Sequence, residues 1–285
     1  MLRFYNFEII LAMKALKKLI IKPGKKVRLS DYDPEYTADF KDKEIAENIL
    51  KENISSLSEL QYRLKAENKR SLLIILQGMD TSGKDGTIRN VMSGSNPQDC
   101  RVTSFKAPSQ EEYDHDFLWR IHKAIPSKGE IGIFNRSHYE DVLAARVHEI
   151  VPKSTWSLRY KQINNFEEML TQNDVVILKF FLYISKDEQK KRLEERLEDP
   201  MKNWKLSEED FKERKYWNDY IEAYQDVLSL CSTKSSPWFV IPANKKWFRN
   251  LAVSQIIIET LKGMNVKFPP STFNFSKFKA HNKKW

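Results

Sequence analysis

The chain has 285 residues, 41% of them hydrophobic, which bounds it to one large domain, or one domain with appendages, and is ample for a full core. Its 48 lysines and arginines against 39 acids leave a net charge of +9, a balance that suits polyanionic partners (nucleic acid, a membrane surface, a phosphate polymer) without choosing among them. Cys100 and Cys231 lie far apart with no metal-ligand spacing, so the expected compartment is a reducing cytoplasm rather than one that favours disulfide frameworks.

Leu2 to Ile21 is apolar, but Glu8, Lys14, Lys17 and Lys18 interrupt it and no small-residue cleavage site follows. It reads as an amphipathic helix docked on the body or on a partner subunit, too short and too charged to span a membrane. Residues 22–40, with Pro23, Gly24 and Pro34, read as an extended arm, and from 41 to 68 the apolar spacing (Ile45, Ile49, Leu57, Leu60, Leu64) is helical. Five apolar residues, Leu72 to Leu76, then form a strand buried on both faces. A helix is expected to about Ser93. A second strand follows over Arg101–Lys106, then a helical pattern over 110–124, a short third strand at Ile131–Phe134, a helix over 154–173, and a long apolar strand over Val175–Ile184. A last strand at Trp238–Ile241 and a closing helix from Lys246 to Leu261 complete the pattern. Strands alternating with helices predict an α/β fold, a doubly wound parallel sheet of five strands flanked by helices.

The strand at 72–76 runs into Gly78-Met79-Asp80-Thr81-Ser82-Gly83-Lys84-Asp85-Gly86-Thr87, where two glycines bracket four residues and a lysine follows. This is the spacing of a phosphate-binding loop. Glycines let consecutive N–H groups converge on an anion, and the helix that follows adds the positive end of its dipole. Gly78, Thr81, Ser82, Gly83, Lys84, Asp85, Gly86 and Thr87 are therefore the expected phosphate-binding set. Asp85 stands where a Ser or Thr normally holds magnesium. A carboxylate within a phosphate cradle is repelled by its ligand unless a divalent cation lies between them, so Asp80 is the expected Mg2+ ligand.

A second polar cluster, Asn135-Arg136-Ser137-His138-Tyr139-Glu140-Asp141, follows the third strand, where ligands of open parallel sheets bind. Asn135 and Arg136 are placed to meet phosphate or magnesium, Glu140 and Asp141 open a helix, and Arg146 lies one to two turns along it. Ser137 with Glu140 also matches a capping box, and His138 reads as a packing residue. After the long strand, a charged helix stops at Pro200, and Met201–Leu206 bridges to a new helix that Ser207 and Asp210 begin. Two helices joined by a basic hinge suit a helical lid over about 188–215, with Arg192, Arg196, Lys202 and Lys205 as its charges, although Glu–Arg spacing also fits a solvated helix face.

GMDTSGKDGT, SFKAP, HDFLWRIH, GEIGIFNRSHYEDVL and DPMKNWKLSEEDF, in this order over roughly residues 30–262, together resemble the polyphosphate kinase type 2 family of polyphosphate:nucleotide phosphotransferases. The resemblance implies the P-loop kinase fold, magnesium, inorganic polyphosphate as donor in a basic channel, an AMP or ADP acceptor, and a homo-oligomer, dimer or tetramer. It carries catalytic roles onto Asp80, Lys84 and Arg136, and the lid it implies adds weight to Arg192, Arg196 and Lys202; Lys106 and Arg146 complete the expected phosphate contacts. Asn135, where many members carry an aspartate, together with Glu140 and Asp141 resembles the class III branch, which accepts nucleoside mono- and diphosphates. The asparagine makes Asp141 the expected second metal ligand and Glu140 a contributor to acceptor choice. The expected division is an N-terminal helix and arm over 1–40, a phosphotransferase domain over 41–262 and a basic, aromatic tail over 263–285. An ATP-dependent nucleoside monophosphate kinase is the nearest rival. A nucleic-acid-dependent ATPase has no recognisable binding motif behind it, a membrane partner is not expected, and a dead scaffold fits poorly with Asp80, Lys84 and Arg136 all present.

Overall fold

The computed structural model describes residues 16–38, 40, 42–271 and 273. Most of the expected N-terminal helix and the end of the tail therefore lie outside the described residues. Five strands, β1 (Ser71–Gln77), β2 (Cys100–Ser104), β3 (Ile131–Asn135), β4 (Val175–Tyr183) and β5 (Trp238–Pro242), form one sheet in the order β2-β3-β1-β4-β5. Every pairing is parallel. The apolar run of β1 is buried along its whole length because this strand is central and helices cover both faces of the sheet.

The helices follow the apolar spacing. α1 (Lys43–Glu67) begins where the Asp42 carboxylate accepts the Glu44 N–H at 2.8 Å and ends at Asn68, which turns left-handed with φ 49°. α2 (Lys84–Val91) leaves the glycine-rich loop. The pattern over 110–124 is not one helix but two short ones, α3 (Gln110–Tyr113) and α4 (Trp119–His122). Between them Asp116 takes the Leu118 N–H on its side chain at 2.9 Å and diverts the backbone from the helical ladder. α5 (Ala144–Val147) is also a single turn, whereas α6 (Lys153–Gln172) matches its expected span. α7 (Lys186–Glu198) leads through a 3-10 turn to α8 (Glu208–Glu213), which begins where Ser207 and Asp210 are expected to start it, the two forming a capping box. A long helix, α9 (Trp217–Leu230), follows, and α10 (Lys246–Gly263) closes the chain against α1 and α2.

The arm seals an open edge. The Ile21 N–H donates to the Trp238 carbonyl at 2.8 Å and the Val240 N–H to Leu19 at 2.9 Å, so residues 19–21 lie antiparallel along the outer side of β5. This covers backbone groups that would otherwise template association. The arm then crosses α9, where Val27 and Leu29 donate their N–H groups to Ser229 and Gln225.

One charge sits in the middle of the core. Lys179, in the otherwise apolar β4, is fully buried, and its ammonium donates to Glu167 of α6 at 2.5 Å, to the Cys231 carbonyl at 2.7 Å and to the Tyr139 hydroxyl at 2.9 Å. Glu167 also accepts from Tyr139 at 2.7 Å and Ser236 at 2.8 Å, and lies 3.2 Å from His138. Burial pushes the Glu167 carboxyl up, but Lys179 and His138 reverse the effect and hold it well below the usual range. His138 is thus a packing residue of this network, as its sequence context suggests. The network fixes the loop after β3, because His138 and Tyr139 belong to that loop.

Candidate active site

β1 and β3 are neighbours in register, with Leu76 opposite Asn135, so their C-terminal loops leave the sheet side by side. The Arg136 N–H donates to the Leu76 carbonyl at 3.0 Å, and Arg136 itself adopts a left-handed φ of 63°. That turn carries its guanidinium to Asp80, 2.9 Å away. The residue behind it, Ser137, accepts the Gln77 amide at 3.1 Å and the Tyr139 N–H at 3.2 Å. The Ser137–Glu140 pair is therefore not a capping box. The chain makes a 3-10 turn over His138–Asp141 instead of opening a regular helix.

The glycine-rich loop has the backbone its spacing requires. Thr81 stands at φ 63° and Gly83 at φ 100°, both left-handed. A Cβ on Gly78 would fall 2.7 Å from the Leu182 carbonyl oxygen, so the loop can hug the sheet only with glycine there. Lys84 folds back to donate to the carbonyls of Gly78 at 2.8 Å and Met79 at 3.2 Å. Burial, with Arg136 next in weight, lowers its ammonium to about 8. Asn135 donates to Asp85 at 2.6 Å across the mouth of the loop. Thr87 spends its hydroxyl on the Gly83 carbonyl at 3.0 Å, inside the helix.

Two cavities meet here. The larger, about 650 Å³, runs from Gly78 and Asp80 past the end of β3 to α8 and α9, with Phe105, Phe117, Ile150 and Val151 on its walls and Lys106, Glu140 and Asp141 among its polar groups. The smaller, about 260 Å³, is a groove over Thr81 and Gly83–Gly86, closed by Asn135, Arg196 and Lys205. Asp80, Arg136 and Asp210 border both. An apolar cleft joined at an Asp–Arg pair to a small charged groove can hold a nucleoside in one arm and a phosphate chain in the other, with the transferred group between them.

Several expected phosphate contacts lie elsewhere. Arg192 is buried beneath the loop, and its five N–H donors go to Glu188 and to the carbonyls of Thr81, Ser82, Ala243 and Asn244. It supports the loop and does not reach the groove. Arg146 pairs with Asp226 at 2.5 Å and Glu222 at 2.6 Å, tying α5 to α9. Lys202 pairs with Asp199 at 2.6 Å on the exposed stretch between α7 and α8, and Lys106 lies on the wall of the larger cavity rather than in the groove. Of the expected phosphate-binding cations after β4, Arg196 is the one that lines the groove, and Lys205 joins it there.

The donor set suits a cation carried in with phosphate. Among the described residues no three His, Cys, Asp or Glu side chains gather as a cage. Magnesium keeps most of its waters and takes one or two carboxylates plus substrate phosphates, and the carboxylates of Asp80 and Asp85 beside the groove fit that pattern. Asp141 does not join them. It sits between Arg159 at 3.3 Å and Arg120 at 3.7 Å on the wall of the larger cavity, and burial raises its carboxyl despite both arginines. Sequence spacing from Asn135 gave no sign of this, because Arg120 and Arg159 come from α4 and α6.

Comparison with known proteins places these features. The family model for polyphosphate kinase 2 matches residues 40–269. An AMP/ADP-polyphosphate phosphotransferase of Meiothermus ruber is 47% identical over 255 residues, covering 89% of this chain and 96% of that protein. An ADP-polyphosphate phosphotransferase of Rhodopseudomonas palustris is 45% identical, covering 90% and 93%. The crystal structure of polyphosphate kinase 2 from Arthrobacter aurescens TC1 superposes with a TM-score of 0.90 at 43% identity, covering 94% of this chain and 95% of that one.

Proposed function

The chain belongs to the polyphosphate kinase 2 family, and on that premise we propose that it moves the terminal phosphoryl group of inorganic polyphosphate onto AMP and ADP, giving ADP and ATP, in a reversible reaction. The observation that carries this reading is the meeting of the two cavities at Asp80 and Arg136. The groove supports a phosphate polymer as donor. Among the described residues its walls hold Lys84, Arg136, Arg196 and Lys205 and no aromatic, leucine, isoleucine or valine side chain that could grip a second nucleoside. An ATP-dependent monophosphate kinase would need such a grip, and that rival is not favoured.

In this reading an acceptor phosphate oxygen attacks the end phosphorus of the polymer, the bridging P–O bond breaks, and the polymer leaves one unit shorter. The attacking oxygen is already ionised, so no strong general base is required. The barrier comes from bringing two polyanions together. Lys84 and Arg136 neutralise charge on the transferred group from two sides, and Arg196 and Lys205 hold the polymer. Asn135 keeps Asp85 directed across the loop, and Glu140 shapes the acceptor side. A divalent metal, which we assign as magnesium held from Asp80, would add positive charge to the same oxygens.

The bonds exchanged are alike phosphoanhydrides, which supports reversibility. The unpaired cysteines agree with a cytoplasmic setting, and among the described residues no helix is long and apolar enough to cross a membrane. We further propose a homo-oligomer, with the exposed Leu158 and Met169 of α6 and Leu230 at the end of α9 as candidate contacts.

The test is incubation with AMP, long-chain polyphosphate and magnesium, with products resolved by chromatography. ADP should appear first and ATP after it, and EDTA should stop both. ATP formation from added ADP alone, with AMP untouched, would leave the family intact and refute the double acceptor range.

A further inference from the structure

The underside of the phosphate loop is occupied by two buried guanidiniums. Arg192 rises from α7 and Arg249 from α10, and both donate to the Ser82 carbonyl oxygen, at 3.2 Å and 3.3 Å. Arg192 adds the Thr81 carbonyl at 2.9 Å and reaches the end of β5 through Ala243 and Asn244. Arg249 is held in place by the Asn250 side chain at 2.8 Å and 3.1 Å. A trans peptide group points its N–H opposite to its C=O. Turning the Ser82 carbonyl down onto the arginines therefore turns the Gly83 N–H away from them.

The loop is fitted to this pair. A Cβ on Gly83 would lie 1.8 Å from an Arg249 guanidinium nitrogen, and one on Gly86 would lie 3.4 Å from the other. Both glycines line the groove on their opposite side. Glu188 pairs with Arg192 at 2.7 Å, but among the described residues no acid pairs with Arg249. Burial, and then the neighbouring Arg192, lower the Arg249 guanidinium to about 10. A buried cation without a counter-ion, one peptide layer below an anion groove, is costly in the resting protein and is offset when an anion lands above it.

We propose that Arg249, with Arg192, is a positioning residue for the donor, presenting the loop N–H groups to polyphosphate and setting affinity for the polymer without touching it. This rests on the polyphosphate reading above. The effect belongs to the donor side because Thr81, Gly83, Lys84, Asp85 and Gly86 line the small groove and not the acceptor cavity.

Calorimetric titration with tripolyphosphate, beside the KM for ADP, tests it. Arg249→Met should weaken tripolyphosphate binding about tenfold or more, the scale of one charge-assisted hydrogen bond, and leave the KM for ADP within about twofold. Arg249→Lys, which keeps the charge, should recover most of the affinity. Should the methionine variant not fold, Arg249→Gln carries the same comparison. Wild-type affinity in the neutral variant, or equal losses for tripolyphosphate and ADP, would overturn the proposal. Failure of the wild-type protein to bind tripolyphosphate would instead remove the polyphosphate reading, and this proposal with it.

Discussion

Lys84→Ala is expected to lower turnover with polyphosphate about a thousandfold while leaving the fold intact, the scale seen when a donor aimed at developing charge is removed. Lys84 sits at the groove with its ammonium on the Gly78 and Met79 carbonyls, the one mobile cation of the loop. Its folded value near 8 lies below the ordinary 10.5, because burial and Arg136 disfavour the charged form. The sign follows from linkage. A depressed lysine costs stability below its folded value, and the cost fades as pH rises through 8 towards 10.5, so removing Lys84 should not lower the melting temperature at neutral pH. The same depression makes kcat/KM for the polymer fall as pH rises above about 8, since that quantity reports the free enzyme, whereas kcat should hold to higher pH because bound phosphate restores the proton. Activity of Lys84→Ala above about a tenth of wild type would be incompatible with the assigned role, given the size of such electrostatic effects.

The second large effect is on stability. Lys179→Met should destabilise the protein by about 3–5 kcal/mol, because it strands the Glu167 carboxylate in the core without its cation. Urea unfolding measures this directly, and the melting temperature should fall by roughly 10 °C. The loss should also reach the site. Tyr139 and His138 are held by Glu167, and both lie in the loop that presents Arg136, so kcat should drop even where the variant remains folded. Replacing both partners with apolar residues should recover little of the stability, because Tyr139, Ser236 and the Cys231 carbonyl would then lose their own buried partners. A shift under about 1 kcal/mol for Lys179→Met would show that Glu167 takes up a proton or water at little cost.

The difference between these two lysines shows where the sequence was legible. Lys84 follows Gly83 at a spacing that has one common physical use, and Gly78 and Gly83, both at positive φ, mark backbone that other residues rarely adopt. The strands were legible for a similar reason. A run such as Leu72–Leu76, ended by a glycine-rich turn and followed by a helical pattern, reads as a strand buried on both faces, and the alternation of such runs with helical patterns points to a parallel sheet. Lys179 did carry a signal, a charge amid Val175–Tyr183, which demands a buried partner, but nothing in the chain points to Glu167 as that partner.

Depth below the surface was the illegible part. Arg192 and Arg196 are four residues apart on α7 and belong to one helical face, yet Arg192 lies under the loop and Arg196 in the groove. Which of the two meets the loop carbonyls depends on how α7 packs against that loop, and packing leaves no mark in residue spacing. Asp141 was misplaced for a related reason. The 3-10 turn over His138–Asp141 rotates it towards arginines contributed by two distant helices. Arg249 gave no sign at all, since its place within a mostly apolar helix is explained only by the loop packed against it.

The donor separates a polyphosphate-dependent enzyme from an ATP-dependent one. ADP incubated with magnesium and radiolabelled polyphosphate, with no nucleoside triphosphate added, should yield ATP labelled at its γ-phosphate. Unlabelled ATP, or none, together with phosphorylation of AMP by added ATP, would contradict the account and return the site to an ATP-dependent kinase.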